Sequence, residues 1–280
     1  MNLFGGIGKK TKKQRKLAQL LADRADLWYN MRDIECESNR RHGGCARKRG
    51  CMEYIAYIEN DYTDRFGIPR QSGLADVRSR IVFLPAYRNP DALRGIECYT
   101  HLWLLWHFDL DRAEGTWSPT VRPPKLGGNR RMGVFATRSP NRPNPIGLSS
   151  VRLMAVEKDD ALGMVLYVAG ADLQSGTMLY DIKPYLPYTD MHPDAVDGFA
   201  VNGEEKRLTV EFADGLQERI PPEKRAPLYA ILSQDPRPGY QHASDRCYHM
   251  PYGGLEIDFT VCGEVLTVTD VRQPGGSETY

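Results

Sequence analysis

Apolar and polar positions change their period three times along the chain. Through QRKLAQLLADRADLWYNM, Leu17, Leu20, Leu21, Leu27, Trp28 and Met31 recur at helical spacing, which predicts a short amphipathic helix. From Met52 the period shortens. MEYIAYIEN alternates apolar and polar residues, RSRIVFLP and HLWLLWHFDL are apolar runs of strand length, and VRLMAVEKD and GMVLYVAGADL repeat the pattern further on. Many short strands punctuated by Gly and Pro predict a mainly β fold, an antiparallel barrel or sandwich. After about Asn202 the character changes again. RLTVEFA reads as a strand, PPEKRAPLYAILSQ as a helix opened by prolines in its first turn, and LEIDFTVCGEVLTVTDV as a hairpin pivoting on Cys262 and Gly263. The organisation predicted is a helical N-terminal extension over 1–51, a β domain over 52–201 and a small α+β appendage over 202–280.

Composition narrows the class. The 280 residues suffice for one sizeable core and a smaller unit. No stretch has the apolar length of a membrane span, and no apolar segment follows the basic N-terminus as a secretory signal would require, so the cytoplasm is expected. The six cysteines are too scattered for a disulfide framework and read as free thiols. Three of them, Cys36, Cys45 and Cys51, fall near His42, but no C-x-x-C pair is present and the spacings fit none of the usual zinc modules, so no structural metal is expected. No GxGxxG follows a strand, which argues against a Rossmann-type domain.

Charge is unevenly distributed. Residues 1–51 hold 13 Lys and Arg against 5 Asp and Glu, a net of +8, which leaves −7 for the remainder of a chain whose formal charge is +1. A basic arm on a mildly acidic body is either a nucleic-acid contact through phosphate neutralisation or a solubilising tail, and its helix has a stripe suited to packing on the body or on a second subunit.

The most constrained run is GVFATRSPNRPNPIGLS, Gly133 to Ser149. Pro140, Pro143 and Pro145 fix φ and push their predecessors into extended geometry, so the backbone between Ser139 and Ile146 is predicted to be a rigid, non-helical arch. It carries Arg138 and Arg142, and TVRPPKLGGNRRMG just upstream adds Arg122, Lys125, Arg130 and Arg131 with no acid among them. A stiff backbone bearing convergent cations is a preorganised site for phosphate or carboxylate.

These segments, with PRQSGL, RGIECYTHLWLLWHF, SGTMLYDIKPYLPYTD and DPRPGY, make the chain resemble the TsaA-like (TrmO) family of tRNA N6-methyltransferases from about Met52 to the C-terminus. The resemblance implies a small β-barrel that binds S-adenosyl-L-methionine, works as a homodimer, and methylates N6 of threonylcarbamoyladenosine at position 37 of tRNA. Carried over residue by residue, it implies a cofactor site of Gln71, Ser72, Gly73, Phe108, Asp109, Arg138, Leu148, Ser175, Gly176 and Thr177. The family's DGTP reads SGTM here. Arg142, Lys183, Arg237 and Tyr240 are the candidates for RNA or for the substrate carboxylate. Methyl transfer from a sulfonium is an in-line displacement that calls for orientation rather than a metal or a covalent intermediate. The exocyclic nitrogen is a poor nucleophile, so a carboxylate that removes its proton would help, and Asp181 either takes that role or fixes its segment by accepting backbone N–H bonds. Two alternatives stay open: a methyltransferase of this fold with another substrate, and a non-catalytic nucleic-acid-binding protein.

Overall fold

The computed structural model describes residues 52–109, 117–123, 130–196, 198–200, 207–237 and 246–274. The chain divides into two compact units, 1–53 and 54–280, and all described residues except Met52 and Glu53 belong to the second. The predicted N-terminal helix, the Cys36, His42, Cys45 and Cys51 cluster, and Tyr240 lie outside the described residues.

Six antiparallel strands form the larger sheet: β1 (Ala56–Glu59), β2 (Arg78–Phe83), β3 (His101–His107), β6 (Ile146–Asp159), β7 (Gly163–Ala169) and β8 (Met178–Pro184). Their order is β1-β2-β7-β6-β3-β8, and β1 also pairs with β8, through Ala56 opposite Leu179, so the sheet closes on itself. Alternation along β3 sets its orientation: Leu102, Leu104 and Trp106 are buried, while the residues between them are more exposed. With Ile58, Ile81, Val151, Leu166, Val168 and Leu179 they fill the interior. The arch runs directly into β6, which starts at Ile146, and Phe108 N–H donates to Pro145 O at 2.9 Å. The proline-fixed segment is thereby tied to the end of β3. A two-stranded ribbon of β4 (Thr120–Val121) and β5 (Met132–Gly133) precedes the arch.

The second sheet has the order β10-β11-β12-β9, with β9 (Thr209–Phe212), β10 (Tyr248–Tyr252), β11 (Leu255–Cys262) and β12 (Val265–Arg272). The β11–β12 hairpin turns at Gly263, whose φ is +59°, as the sequence predicts. β9 pairs with β12 in parallel. Helix α1 (Pro222–Ser233) starts on its prolines and buries Leu228, Ile231 and Leu232 against Ile257, Phe259 and Val268.

This second core also takes in Tyr62, Ala75 and Val77 from the long β1–β2 connection. Polar contacts reinforce the join. Lys224 Nζ donates to Asp61 Oδ1 at 2.8 Å and to Gly253 O at 2.7 Å, and Gln234 Nε2 donates to Leu74 O at 3.0 Å. Tyr62 and Tyr252 pack with ring centroids 6.4 Å apart, and burial pushes both phenols well above their ordinary range, so they stay neutral. Among the described residues no helix is long and apolar enough to cross a membrane, and Cys98, Cys247 and Cys262 are free thiols.

Candidate active site

The β1–β2 connection, the arch and the β7–β8 connection meet around one carboxylate. Gly73 has φ +80° and donates its N–H to Gly170 O at 2.8 Å. Gly170, also left-handed at φ +85°, lies so close that a Cβ there would come within 3.3 Å of Gly73 Cα and N, so both positions call for glycine. A Cβ on Gly73 or on Gly176 would instead enter open space, with nothing within 4 Å. Arg138 reaches across from the arch and donates through Nη1 to Gln71 Oε1.

The carboxylate is Asp172. Its Oδ1 accepts from Ser149 Oγ at 2.5 Å, and Ser149 Oγ accepts in turn from Trp106 Nε1 at 2.9 Å. Burial pushes the Asp172 carboxyl up; the Ser149 hydroxyl, the Arg138 charge and the Ser72 backbone N–H oppose it without cancelling it. A carboxyl group within the electrostatic reach of an exposed arginine offers one partner to each end of a zwitterion. Phe108 completes this group, its ring centroid 4.0 Å from that of Trp106.

Ser175, Gly176 and Thr177 follow Asp172 in the β7–β8 connection and are tied to β1 and the residues after it. Ser175 N–H donates to Tyr62 O at 2.8 Å and Gly176 N–H to Ile58 O at 2.7 Å, while Thr177 Oγ1 donates to Gln174 O at 2.7 Å. Asp109 is reached through its main chain, where Arg65 Nη2 donates to its carbonyl at 2.8 Å. Leu148 lies one residue from Ser149 but on the outer face of β6, 55% exposed and opposite Leu105. Leu105 also faces Asp181 across β3–β8, so Leu148, Leu105 and Asp181 form a row on the outside of the sheet. The structure thus separates Leu148 from the Asp172 group, because strand alternation turns neighbouring side chains to opposite faces.

Asp181 is a strand residue. Its Oδ2 pairs with Lys183 Nζ at 2.8 Å, which raises the lysine pKa, and its Oδ1 accepts from Ile182 N–H at 2.9 Å. Arg142 braces the arch, with Nη1 donating to Thr137 O at 2.7 Å and Val134 O at 3.1 Å. Arg237 turns inward: its side chain is 9% exposed and grips Asp235 through two bonds, of 2.7 and 2.8 Å. Burial pushes Asp235 up, but this pairing outweighs it and holds the carboxyl low. Arg237 thereby fixes the loop conformation, in which Asp235 has φ 52°. Elsewhere, Cys247 and His249 lie near Asp258, whose carboxylate is already held by His249 Nδ1 at 2.7 Å and by Arg272.

The family model for the tRNA-methyltransferase O N-terminal domain matches residues 57–191, and that for the TrmO C-terminal domain matches 205–274. The chain belongs to the tRNA-methyltransferase O family. Among relatives, the tRNA (adenine(37)-N6)-methyltransferase of Escherichia coli is 42% identical over 203 residues, covering 69% of this chain and 85% of that one. The protein of the same name from Eikenella corrodens is 44% identical over 164 residues, or 58% and 91% of the two chains. The crystal structure of TrmO from Pseudomonas aeruginosa matches with a TM-score of 0.64 at 30% identity, over 82% of this chain and all of that one.

Within this TrmO family member, the residue that the sequence reading misses is Asp172. It belongs to none of the motifs that carry the resemblance, but an acid between two apolar residues in GADLQ is a usable signal: Ala171 and Leu173 are each 1% exposed, so Asp172 is carried into the fold with them.

Proposed function

We propose that this chain transfers the methyl group of S-adenosylmethionine to N6 of threonylcarbamoyladenosine at position 37 of tRNA, in the cytoplasm. The observation that carries the reading is the convergence of Gln71–Gly73, Arg138 and Asp172, in a chain 42% identical to a tRNA (adenine(37)-N6)-methyltransferase. A related Pseudomonas aeruginosa chain, 40% identical over 195 residues, carries a name that specifies S-adenosylmethionine dependence.

The donor set fits that cofactor. Arg138 offers a guanidinium for its carboxylate, Asp172 an anion for its ammonium or sulfonium, Phe108 a ring face for its adenine, and Gly73 and Gly176 open backbone against which it can lie. When bound, it supplies an electrophilic methyl group on a sulfonium. The chain's part is to hold the acceptor nitrogen in line and to receive its proton as the new N–C bond forms. Asp181 is our candidate for that proton, offered to the cofactor of a second subunit because its row faces away from the Asp172 group of its own chain. It is half-buried on the outer row with Leu148 and pairs with Lys183 Nζ at 2.8 Å. The exposed apolar side chains on the same strand, Leu148 and Met154, support a homodimer formed through the sheet. Light scattering should then give twice the chain mass, and a fully active monomer would overturn that assembly.

The test is reconstitution. Purified protein, S-adenosylmethionine and tRNA bearing threonylcarbamoyladenosine should yield, on nucleoside mass spectrometry, a nucleoside heavier by one methyl substitution. Methylation only of some other nucleoside would replace the substrate, and no methylation of any tRNA would remove the activity.

A further inference from the structure

Two large aromatic rings on the chain face solvent side by side. Phe135 is 69% exposed and Trp117 46% exposed, and they stack with centroids 6.0 Å apart and planes inclined by 29°. Their backbone is fixed. Val134 N–H donates to Pro119 O at 2.9 Å, Thr120 pairs with Gly133 and Val121 with Met132, and Ser118 Oγ donates to Thr120 O at 2.6 Å. Val134, 1% exposed, anchors the 3-10 turn that presents Phe135. Arg142, bonded to Val134 O and Thr137 O, brings its guanidinium carbon to 5.5 Å from the Phe135 centroid.

A turn that buries its valine while turning the next residue, a phenylalanine, to water does not serve the core. The surroundings name the occupant. Arg122, Arg130 and Arg131 are exposed on the same two segments, and neither 117–123 nor 130–145 contains an acid. A second copy of the chain docked here about a two-fold axis would set arginines against arginines. A polyanion with flat unpaired rings complements the patch in both charge and shape. Single-stranded RNA is recognised in this way, by bases stacked on aromatic and guanidinium planes and phosphates held by cations.

We propose that Trp117 and Phe135, backed by Arg142, form a stacking platform for an unpaired base of the tRNA loop that carries position 37. The inference rests on the tRNA reading above. Phe135 is three positions before Arg138, so the platform lies within about 10 Å, along the backbone, of the arginine assigned to the cofactor. A base stacked there would be a near neighbour of the reacting adenosine and would hold the loop open around it.

The experiment uses the full chain with Phe135→Ala and Trp117→Ala, and with Phe135→Tyr and Trp117→Phe as variants that keep a ring. Three quantities are measured: KM for tRNA, affinity for a labelled anticodon stem-loop RNA by anisotropy, and S-adenosylmethionine affinity by calorimetry. Each alanine variant should raise KM and weaken stem-loop binding by roughly 5- to 100-fold, the range for one stacked base. Cofactor affinity, particle mass and melting temperature should stay at wild-type values, and the ring-keeping variants should restore most of the RNA binding. Alanine variants that bind the stem-loop as the wild type does would overturn the platform, as would losses explained by weaker cofactor binding or by a changed particle mass. A wild-type chain that methylates no tRNA would overturn the reading beneath it, and stem-loop affinity would still decide the platform.

Discussion

Replacing Gly147 by alanine tests whether the arch and the Asp172 group are one mechanical unit. A Cβ at this position would lie 2.1 Å from Trp106 Cε2, with Cδ2 and Cζ2 at 2.4 and 2.5 Å, well inside van der Waals contact. These are ring atoms of a side chain only 7% exposed, in an interior packed to crystal-like density, so the indole would have to retreat by roughly 1 Å. Overpacking of this kind costs about 1–3 kcal/mol. The retreat also breaks the 2.9 Å bond from Trp106 Nε1 to Ser149 Oγ, which adds about 0.5–1.5 kcal/mol. A total of roughly 2–4 kcal/mol should lower the melting temperature by about 5–15 °C in a unit of this size. Calorimetric melting reads that loss.

The same displacement should reach function, because Ser149 positions Asp172 at 2.5 Å and Trp106 packs on Phe108. S-adenosylmethionine affinity should fall together with stability. Trp106→Leu in the Gly147→Ala background gives the ring's space to the new methyl group, so the two changes should couple by about 0.5–3 kcal/mol. Gly147→Ala protein that melts and binds cofactor as the wild type does, or strictly additive effects in the double variant, would refute the argument.

Arg138→Ala should weaken S-adenosylmethionine binding by roughly 10- to 100-fold in calorimetry, the size of a lost charge-assisted hydrogen bond, with little change in melting temperature because the side chain is exposed. Asp172→Asn should weaken cofactor binding and yet stabilise the free protein at neutral pH. Burial raises the folded-state pKa, so the native state holds the proton more tightly and stability falls as pH rises from about 4 through the folded pKa. The stability gain of the variant should accordingly vanish below about pH 4 in pH-dependent melts, and a gain independent of pH would point to another cause. Gln234→Ala removes the bond to Leu74 O without touching the site, and should lower cofactor affinity more than its modest effect on melting would suggest.

The legible parts of the fold are those governed by local chemistry. Arg78–Phe83 and His101–His107 are strands because their apolar runs leave no other way to bury both β-branched and aromatic side chains, and the helix from Pro222 starts where proline at the first position requires it. Met178–Pro184 does not read as a strand, since MLYDIKP places a Tyr, an Asp and a Lys among its apolar positions; only pairing with β1 and β3 makes it one. The parallel partnership of β9 with β12 is likewise non-local and leaves no signature in four residues. In the candidate site, the motifs propose Gln71, Gly73 and Arg138, whereas their convergence on Asp172 and the pairing of Arg237 with Asp235 depend on which segments meet in space. Arg237 is foreseeable in part, because an Asp two residues before an Arg across a proline is poised for a local pair.

The contacts between the two sheets give the C-terminal unit a role in the site that its own residues do not touch. The β1–β2 connection from Asn60 to Val77 has little regular structure, and ordering such a segment costs about 1–2 kcal/mol per residue in backbone entropy. The first sheet and its connections supply part of the compensation, among them the Gly73–Gly170, Asn60–Leu173, Tyr62–Ser175 and Gln71–Arg138 bonds. The second supplies the remainder: Tyr62, Ala75 and Val77 are buried in its core, Lys224 clamps Asp61, and Gln234 holds the carbonyl of Leu74, the residue that follows Gly73. A loop fixed at both ends by another sheet has already lost its freedom before a ligand arrives, so binding energy need not be diverted to order it. The left-handed Gly73, the Gln71 amide facing Arg138 and the Ser72 N–H on Asp172 are therefore held together by α1 and β10, and for a ligand bound at this group the appended sheet would act on affinity through the loop it anchors.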